Sequence, residues 1–408
     1  MKTLILICDS YPLTAGEFFL DDEIKIIHPH FEKIHVLIND QEQQNLNRFI
    51  PNNIEITKYK SDITIDDKLK AVPKIFSVLF ISELFRAIFK LKIAPIPILF
   101  KIMFMDIVRS NQIIWELKKL IATQKLDLNN SIFYSYWHDY KALALARMSK
   151  RNKQIKVVAR AHGWDVFAER HNPPFLPFKT FILRNLKNTF SISETGKREL
   201  SKYDKGTKIL VSKLGKINER KPLIEKNNKN IAICSCSNII PLKRIDKIIE
   251  VLSQINLENI NWFHFGEGYL RAEIETLANE KLNKINWKFS GTIPNNEILD
   301  FYSHNHVDLF INLSESEGIP VSIMEALSAG IPVLATNVGG TSEAVNDKNG
   351  FLIPKDFEVN DVVKMIENYL QSSADNQIQY RQNAHKFWQE NFEATKNYTQ
   401  FAHELLTL

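Results

Sequence analysis

Two carboxylates with different surroundings, Glu317 and Glu325, stand with seven residues between them in the stretch 308–345. Glu325 sits among Val321, Ile323, Met324, Ala326, Leu327 and Ala329, a pattern that reads as a helix apolar nearly all round and therefore buried. A buried carboxylate costs roughly several kcal/mol unless something binds it. It is either half of a core ion pair or a group held ready for a polar ligand. Glu317 falls in a polar, glycine-containing loop, where it is either a solvated residue or a ligand contact.

The elements that position these residues follow from the same stretch. Asp308 to Leu313 is a short apolar run of β-forming residues, ended by Ser314 to Gly318. Pro320 suits a first helical position, because it has no amide hydrogen to leave unpaired. Gly330 suits the residue just past the helix end. A second strand, Pro332 to Thr336, leads into Asn337-Val338-Gly339-Gly340-Thr341, a loop able to bring bare backbone near a ligand.

Glu317, seven residues and Glu325, with Glu-Gly-Ile-Pro-Val inside the spacing and the Gly-Gly loop after it, closely resemble the signature of the retaining glycosyltransferases of family four. The resemblance implies that Glu325 holds the ribose hydroxyls of a nucleotide sugar and that Glu317 contacts the sugar being transferred. Gly318, Ile319, Pro320 and Val321 would then lie along the substrate. The physics agrees. One carboxylate can accept two hydroxyls, and the amides opening the helix at Val321 and Ser322 can face an anionic diphosphate. Lys243 matches the lysine that neutralises the departing diphosphate. The arginine usual five positions earlier is Asn238 here, so Arg244 is expected to compensate. Gly291 and Thr292 sit where relatives contact the base through backbone.

The resemblance extends to the first half of the chain. Arg160-Ala161-His162-Gly163 resembles an active-site loop in which the histidine, here His162, lies beside the transferred sugar. The opening Tyr11-Pro12…Gly16-Glu17-Phe18-Phe19-Leu20 is similar to that of bacterial exopolysaccharide transferases and makes Gly16 a donor or acceptor contact. His138, at the end of another expected strand, is either structural or functional.

At 408 residues the chain suggests about two or three domains, of which two is the reading adopted. A net charge of +5 suits anionic partners but does not select one. Cys8, Cys234 and Cys236 all fall in expected strands, which suggests neither a disulfide framework nor a zinc site, and a reducing cytoplasm is the simplest setting. The first residues read as a strand rather than a signal peptide. No stretch approaches the ~18 uncharged apolar residues of a membrane span.

Along the chain, strands are expected at 3–8, 35–38, 53–58, 131–136, 155–159 and 190–193, the last closing the first half. Residues 68–109 interleave Phe76, Phe80, Phe85, Phe89, Phe100 and Phe104 with Lys70, Lys74, Arg86, Lys90, Lys92 and Lys101. These are basic amphipathic helices that either pack on a sheet with solvated lysines or lie on an anionic membrane surface. Residues 214–230 are charged, contain Pro222, lack periodicity and read as a linker. Three strand–loop–helix units then follow. They lead into the 308–345 stretch, and together the five strand ends deliver Lys243, Gly266, Gly291, Glu317 and Gly339 to one edge of one parallel sheet.

The expected fold is α/β: two Rossmann-like doubly wound domains facing a cleft, of the GT-B type, with a C-terminal helix crossing back to the first domain. The first comprises residues 1–214 with 385–408 and takes the acceptor; the second, 215–384, takes the nucleotide sugar. The activity implied is retaining transfer of a hexosyl or N-acetylhexosaminyl group from a nucleoside-diphosphate sugar to a glycan or lipid-linked acceptor. That sugar donor is a substrate; no cofactor, metal or nucleic acid is called for. The expected location is cytoplasmic, at the inner face of the cell membrane if the basic helices bind it. The rival readings are a nucleotide-sugar epimerase and a non-catalytic scaffold that binds nucleotide sugar.

Overall fold

The computed structural model describes residues 2–14, 16–40, 48–90, 95–225 and 230–408. Ala15, Lys92, the side chain of Lys90 and linker residues 226–229 lie outside the described residues. The chain divides into two compact units, Met1–Lys213 with Tyr398–Leu408, and Leu214–Asn397.

The first unit is built on seven strands: β1 (Lys2–Ile7), β2 (Phe31–Asn39), β3 (Ile54–Tyr59), β4 (Ser131–Ser135), β5 (Lys156–Ala161), β6 (Asn188–Ser191) and β7 (Ile209–Val211). They pair in parallel in the order β3-β2-β1-β4-β5-β6-β7. Helices cover such a sheet on both faces, so its central strands are apolar throughout rather than alternating. All five residues of β4, Ser-Ile-Phe-Tyr-Ser, are buried. The order reverses between β1 and β4, and a crevice opens at the carboxyl ends of strands at such a point. The loops after these two strands carry Glu17 and Trp137.

The second unit has six strands: β8 (Ile231–Cys236), β9 (Ile260–Phe265), β10 (Asn286–Phe289), β11 (Leu309–Asn312), β12 (Val333–Thr336) and β13 (Gly350–Ile353). They too are all parallel, in the order β10-β9-β8-β11-β12-β13. Here the reversal falls between β8 and β11. Every strand therefore ends on the same edge, as the distribution of Lys243, Gly266, Gly291, Glu317 and Gly339 requires.

Three features differ from the sequence reading. β6 is not the last strand of the first unit, because the three-residue β7 pairs beyond it. β13 adds an edge strand to the second sheet. The closing helix is two helices, Ala374–Asn391 and Ala394–Leu406.

The end of the second of these helices packs on the first sheet. Tyr398 and Phe401 are buried, and the Arg160 guanidinium lies 4.1 Å from the Phe401 ring centre. Arg160 also reaches Glu23 at 3.2 Å, with both side chains fully buried, and Tyr134 donates to Glu23 at 2.9 Å.

The basic segment forms helices Ile65–Ala71, Val78–Phe85 and Ile96–Thr123, with a 3-10 turn at Val72–Phe76 and a π-turn at Arg86–Lys90. Pro97 lies in the first turn of the long helix, where its missing donor costs nothing. One side of this segment is core: Phe80, Leu99 and Met103 are buried. Another is open to solvent, with Phe76 74%, Val78 84%, Phe85 59% and Phe89 66% exposed.

Candidate functional site

In the second unit, the carboxyl-edge loops are tied into one continuous rim by backbone contacts. The loop after β8 docks on that after β9 through Ile239 N to Glu267 O at 2.8 Å, and the loop after β9 meets that after β10 through Gly266 N to Gly291 O at 2.9 Å. Glu315 N donates to Leu242 O at 2.9 Å across the switch point, and Gly340 N donates to Gly318 O at 2.7 Å. These approaches need glycine. A Cβ at Gly339, where φ is +53°, would fall 1.7 Å from the Glu317 carbonyl oxygen.

Lys243 ends the 3-10 turn Pro241–Lys243 and pairs with the Glu317 carboxylate. Glu317 is 6% exposed, so its loop position does not leave it in solvent. Gly318, Ile319 and Pro320 are buried beside it, and Val321 and Ser322, half-buried, open the helix Val321–Ser328. Gly330 ends that helix with φ +70°.

Glu325 is 2% exposed. Asn295 Nδ2 donates to its Oε1 at 2.5 Å, and Lys216 Nζ stands 3.6 Å from the same oxygen. Glu325 thus has a buried cationic neighbour, as the ion-pair reading expects, and it belongs to the helix that opens on the rim. Asn295 follows the β10 loop, so this hydrogen bond joins the Gly291–Thr292 turn to the Glu325 helix. Neither Asn295 nor Lys216 stood out in the sequence. Each is an isolated polar residue far in sequence from its partner.

The structure places the other expected residues as follows. Gly291 is buried with φ +72°, and Thr292 is exposed next to it. Asn238 is exposed on the loop after β8. Arg244 adopts φ +48° and donates from Nε to Leu313 O at 2.6 Å and from Nη1 to Lys355 O at 3.0 Å. Two of its nitrogens thus fasten the β11 strand end to the segment after β13.

In the first unit, His162 is buried in an aromatic setting, with ring centres of Tyr136 and Trp137 each at 4.7 Å and Phe19 at 5.8 Å. Neither of its ring nitrogens has a hydrogen-bond partner among the described residues. Burial, helped by the Arg160 charge, holds its pKa well below the usual histidine range, so the ring is neutral. Its backbone is fixed by Asp165, whose two carboxylate oxygens accept from His162 N and His138 N, each at 2.5 Å. An aspartate three residues after the histidine was the available sequence signal. His138 is structural, fully buried with Nδ1 3.1 Å from Lys179 Nζ.

Gly16, with φ +120°, lies in a turn whose opening amides, Asp9 to Tyr11, are already occupied. Glu17 accepts from the backbone of Asp9, Ser10 and Tyr11 at 2.7–3.1 Å and from Trp137 Nε1 at 2.6 Å. An anion binding these amides must first displace a carboxylate of the chain itself. Arg48 clamps the same turn through the carbonyls of Thr14, Gly16 and Glu17.

Two doubly wound parallel units with this switch-point rim define a protein of the GT-B fold class. In solved structures the fold recurs in sucrose-phosphate synthase from Thermosynechococcus elongatus, with a TM-score of 0.75 at 13% identity over 100% of this chain and 99% of that one. It recurs also in Anabaena HepE in complex with UDP and glucose, at TM-score 0.65 and 16% identity over the whole of both chains. More particularly, residues 216–387 match the family described as Glycosyl transferases group 1. The O-antigen biosynthesis glycosyltransferase WbnH of Escherichia coli is 44% identical over 57 residues, 14% of this chain and 17% of that protein. The first relatives matched are covered over only 17% to 28% of their own length.

Proposed function

We propose that this chain is a retaining glycosyltransferase that moves a hexosyl or N-acetylhexosaminyl group from a nucleoside-diphosphate sugar to a hydroxyl of a growing, lipid-linked glycan in bacterial surface polysaccharide synthesis. The observation that carries the proposal is the buried Glu325 in the helix that directly follows the loop of the Lys243–Glu317 pair, on the switch-point edge of a sheet within the matched family region. The reported complexes of HepE with UDP and glucose, and the O-antigen role in the name of WbnH, support the donor and product classes.

In this reading Glu325 receives the ribose hydroxyls, and the Gly291–Thr292 backbone faces the base. The diphosphate lies at the amides of Val321 and Ser322. Lys243 spends one ammonium proton on Glu317 and has two left for the leaving group. The anomeric C–O bond to the diphosphate breaks while the acceptor oxygen bonds to the same carbon on the same face. The acceptor's proton passes to the departing diphosphate oxygen. Cationic and amide groups placed where that charge develops supply the main stabilisation. Neutral His162, in the first unit, has ring nitrogens able to donate to or accept from a sugar hydroxyl.

Among the described residues no helix is long and apolar enough to cross a membrane. The exposed Phe76, Val78, Phe85 and Phe89, beside lysines of the same segment, suit a peripheral contact with anionic lipid on the cytoplasmic face. The proposal is tested by incubating the protein with a panel of nucleoside-diphosphate sugars and lipid-linked glycans and determining the anomeric configuration of the product. Retention supports it, whereas inversion or simple donor hydrolysis overturns it. Sedimentation with anionic liposomes at low salt tests the membrane contact, and protein left wholly in the supernatant contradicts it.

A further inference from the structure

The first unit holds a cavity of about 280 Å³ between the long helix 96–123 and the loops that follow β4 and β5. Its walls include Asp106 and Arg109 from the helix, Tyr140, and Trp164 with His171. The Trp164 and His171 rings lie 4.2 Å apart, held by a 2.6 Å contact of His171 Nε2 with the Trp164 carbonyl.

The charged groups around this cavity fall into two sets. Asp139 is paired with Lys141 at 2.7 Å, Asp165 is taken by two backbone amides, and Lys179 is bound to His138. Those three are committed to the fold. Asp106 is half-buried and has no hydrogen bond or ion pair among the described residues; Arg109 likewise has none, overlies the Tyr140 ring at 5.5 Å and acts on Asp106 only through its charge. Burial, then the charge of Asp139, pushes the Asp106 carboxyl up to about 7, so near neutrality it can both donate and accept.

We infer that this cavity is a binding site for one neutral pyranose ring. The partly protonated Asp106 carboxyl and the Arg109 guanidinium together present both donors and acceptors, which suits a ligand with many hydroxyls. The planar guanidinium offers a fork of donors, and the carboxyl accepts from or donates to vicinal hydroxyls. Trp164, 54% exposed, presents an aromatic face for the apolar side of a sugar ring. The volume falls just under the ~300 Å³ at which drug-sized pockets begin, so it admits a single ring and not an oligosaccharide. If the chain transfers sugars as proposed above, the ring belongs to the acceptor glycan. The cavity itself lies wholly in the first unit and does not depend on that reading.

The test uses the full-length protein without donor. Methyl glycosides of glucose, galactose, mannose, N-acetylglucosamine and N-acetylgalactosamine, and separately inorganic phosphate, are titrated and followed by saturation-transfer NMR. At least one glycoside should bind, and its dissociation constant should rise tenfold or more in both Arg109→Ala and Trp164→Ala. Both replaced side chains are exposed, and a retained unfolding midpoint establishes that each variant folds. If Trp164→Ala does not fold, Arg109→Ala decides. Binding of no glycoside, equal binding by wild type and variants, or saturable phosphate binding lost in Arg109→Ala would each overturn the inference. Failure of sugar transfer with glycoside binding intact would count against the transferase reading alone.

Discussion

Lys243 and Glu317, 74 residues apart in sequence, form an ion pair across the two loops that flank the switch point of the second sheet. The pair joins the cation assigned to the leaving group with the carboxylate assigned to the transferred sugar. It also fixes the β8 and β11 loops at the mouth of the rim.

Lys243→Ala should lower kcat by about 10²–10³, the usual effect of removing one group that meets developing charge. It also strands a carboxylate that is nearly buried, at a cost of about 1–3 kcal/mol. Adding Glu317→Ala to Lys243→Ala should recover part of the stability and none of the activity. Urea unfolding and initial rates on the single and double variants check both halves.

In the first unit the stability of the packed tail rests on Glu23 and Arg160, a fully buried pair 3.2 Å apart. Glu23→Ala leaves the guanidinium uncompensated and should destabilise the unit by about 3–5 kcal/mol. Glu23→Gln keeps an acceptor for the Tyr134 hydroxyl and should cost less. Denaturant midpoints of the two variants against wild type test the order.

His162 makes a pH-dependent contribution of known sign. Its folded pKa is well below the ordinary value of ~6.5, so the unfolded chain binds the proton first. Its contribution is fully present above that pH and is lost as pH falls, at up to ~1.4 kcal/mol per pH unit. Relative to wild type, His162→Phe should therefore lose less stability, or gain more, as pH falls from about 6.5 to 5. His138 acts in the same direction, whereas Asp165, raised to about 6, and Asp106, raised to about 7, act oppositely. All three remain in the variant, so the difference between the two profiles isolates His162, and parallel profiles would contradict the assignment.

The parts of this architecture that were legible in the sequence are those written in local pattern. Strand β11, the Glu325 helix and strand β12 are apolar runs separated by Gly318, Pro320 and Gly330, and they appear within a residue or two of where the pattern puts them. The edge strands β7 and β13 were missed; each is short and only partly buried, whereas β11 and β12 are central strands buried at every residue. The break between Asn391 and Ala394 has no proline or glycine to announce it. Burial of Glu325 could be read from its apolar neighbours, but not the identity of Asn295 and Lys216, which only the fold brings to it. The Glu17 carboxylate seated on its own turn was equally hidden. Gly16 drew attention to the turn, while the group filling it was the next residue.

The most direct test of the account is the unfolding midpoint of wild type and Glu325→Gln measured against a panel of nucleoside-diphosphate sugars. A ligand that binds only the folded state at 100 times its dissociation constant adds about 2.7 kcal/mol. At least one donor should raise the wild-type midpoint. Loss of a hydrogen bond to a charged group, worth about 1.5–3 kcal/mol, should weaken that donor by roughly 10- to 150-fold in the variant. A wild-type midpoint unmoved by every donor, or a shift equal in Glu325→Gln, would contradict the placement of the nucleotide at this carboxylate.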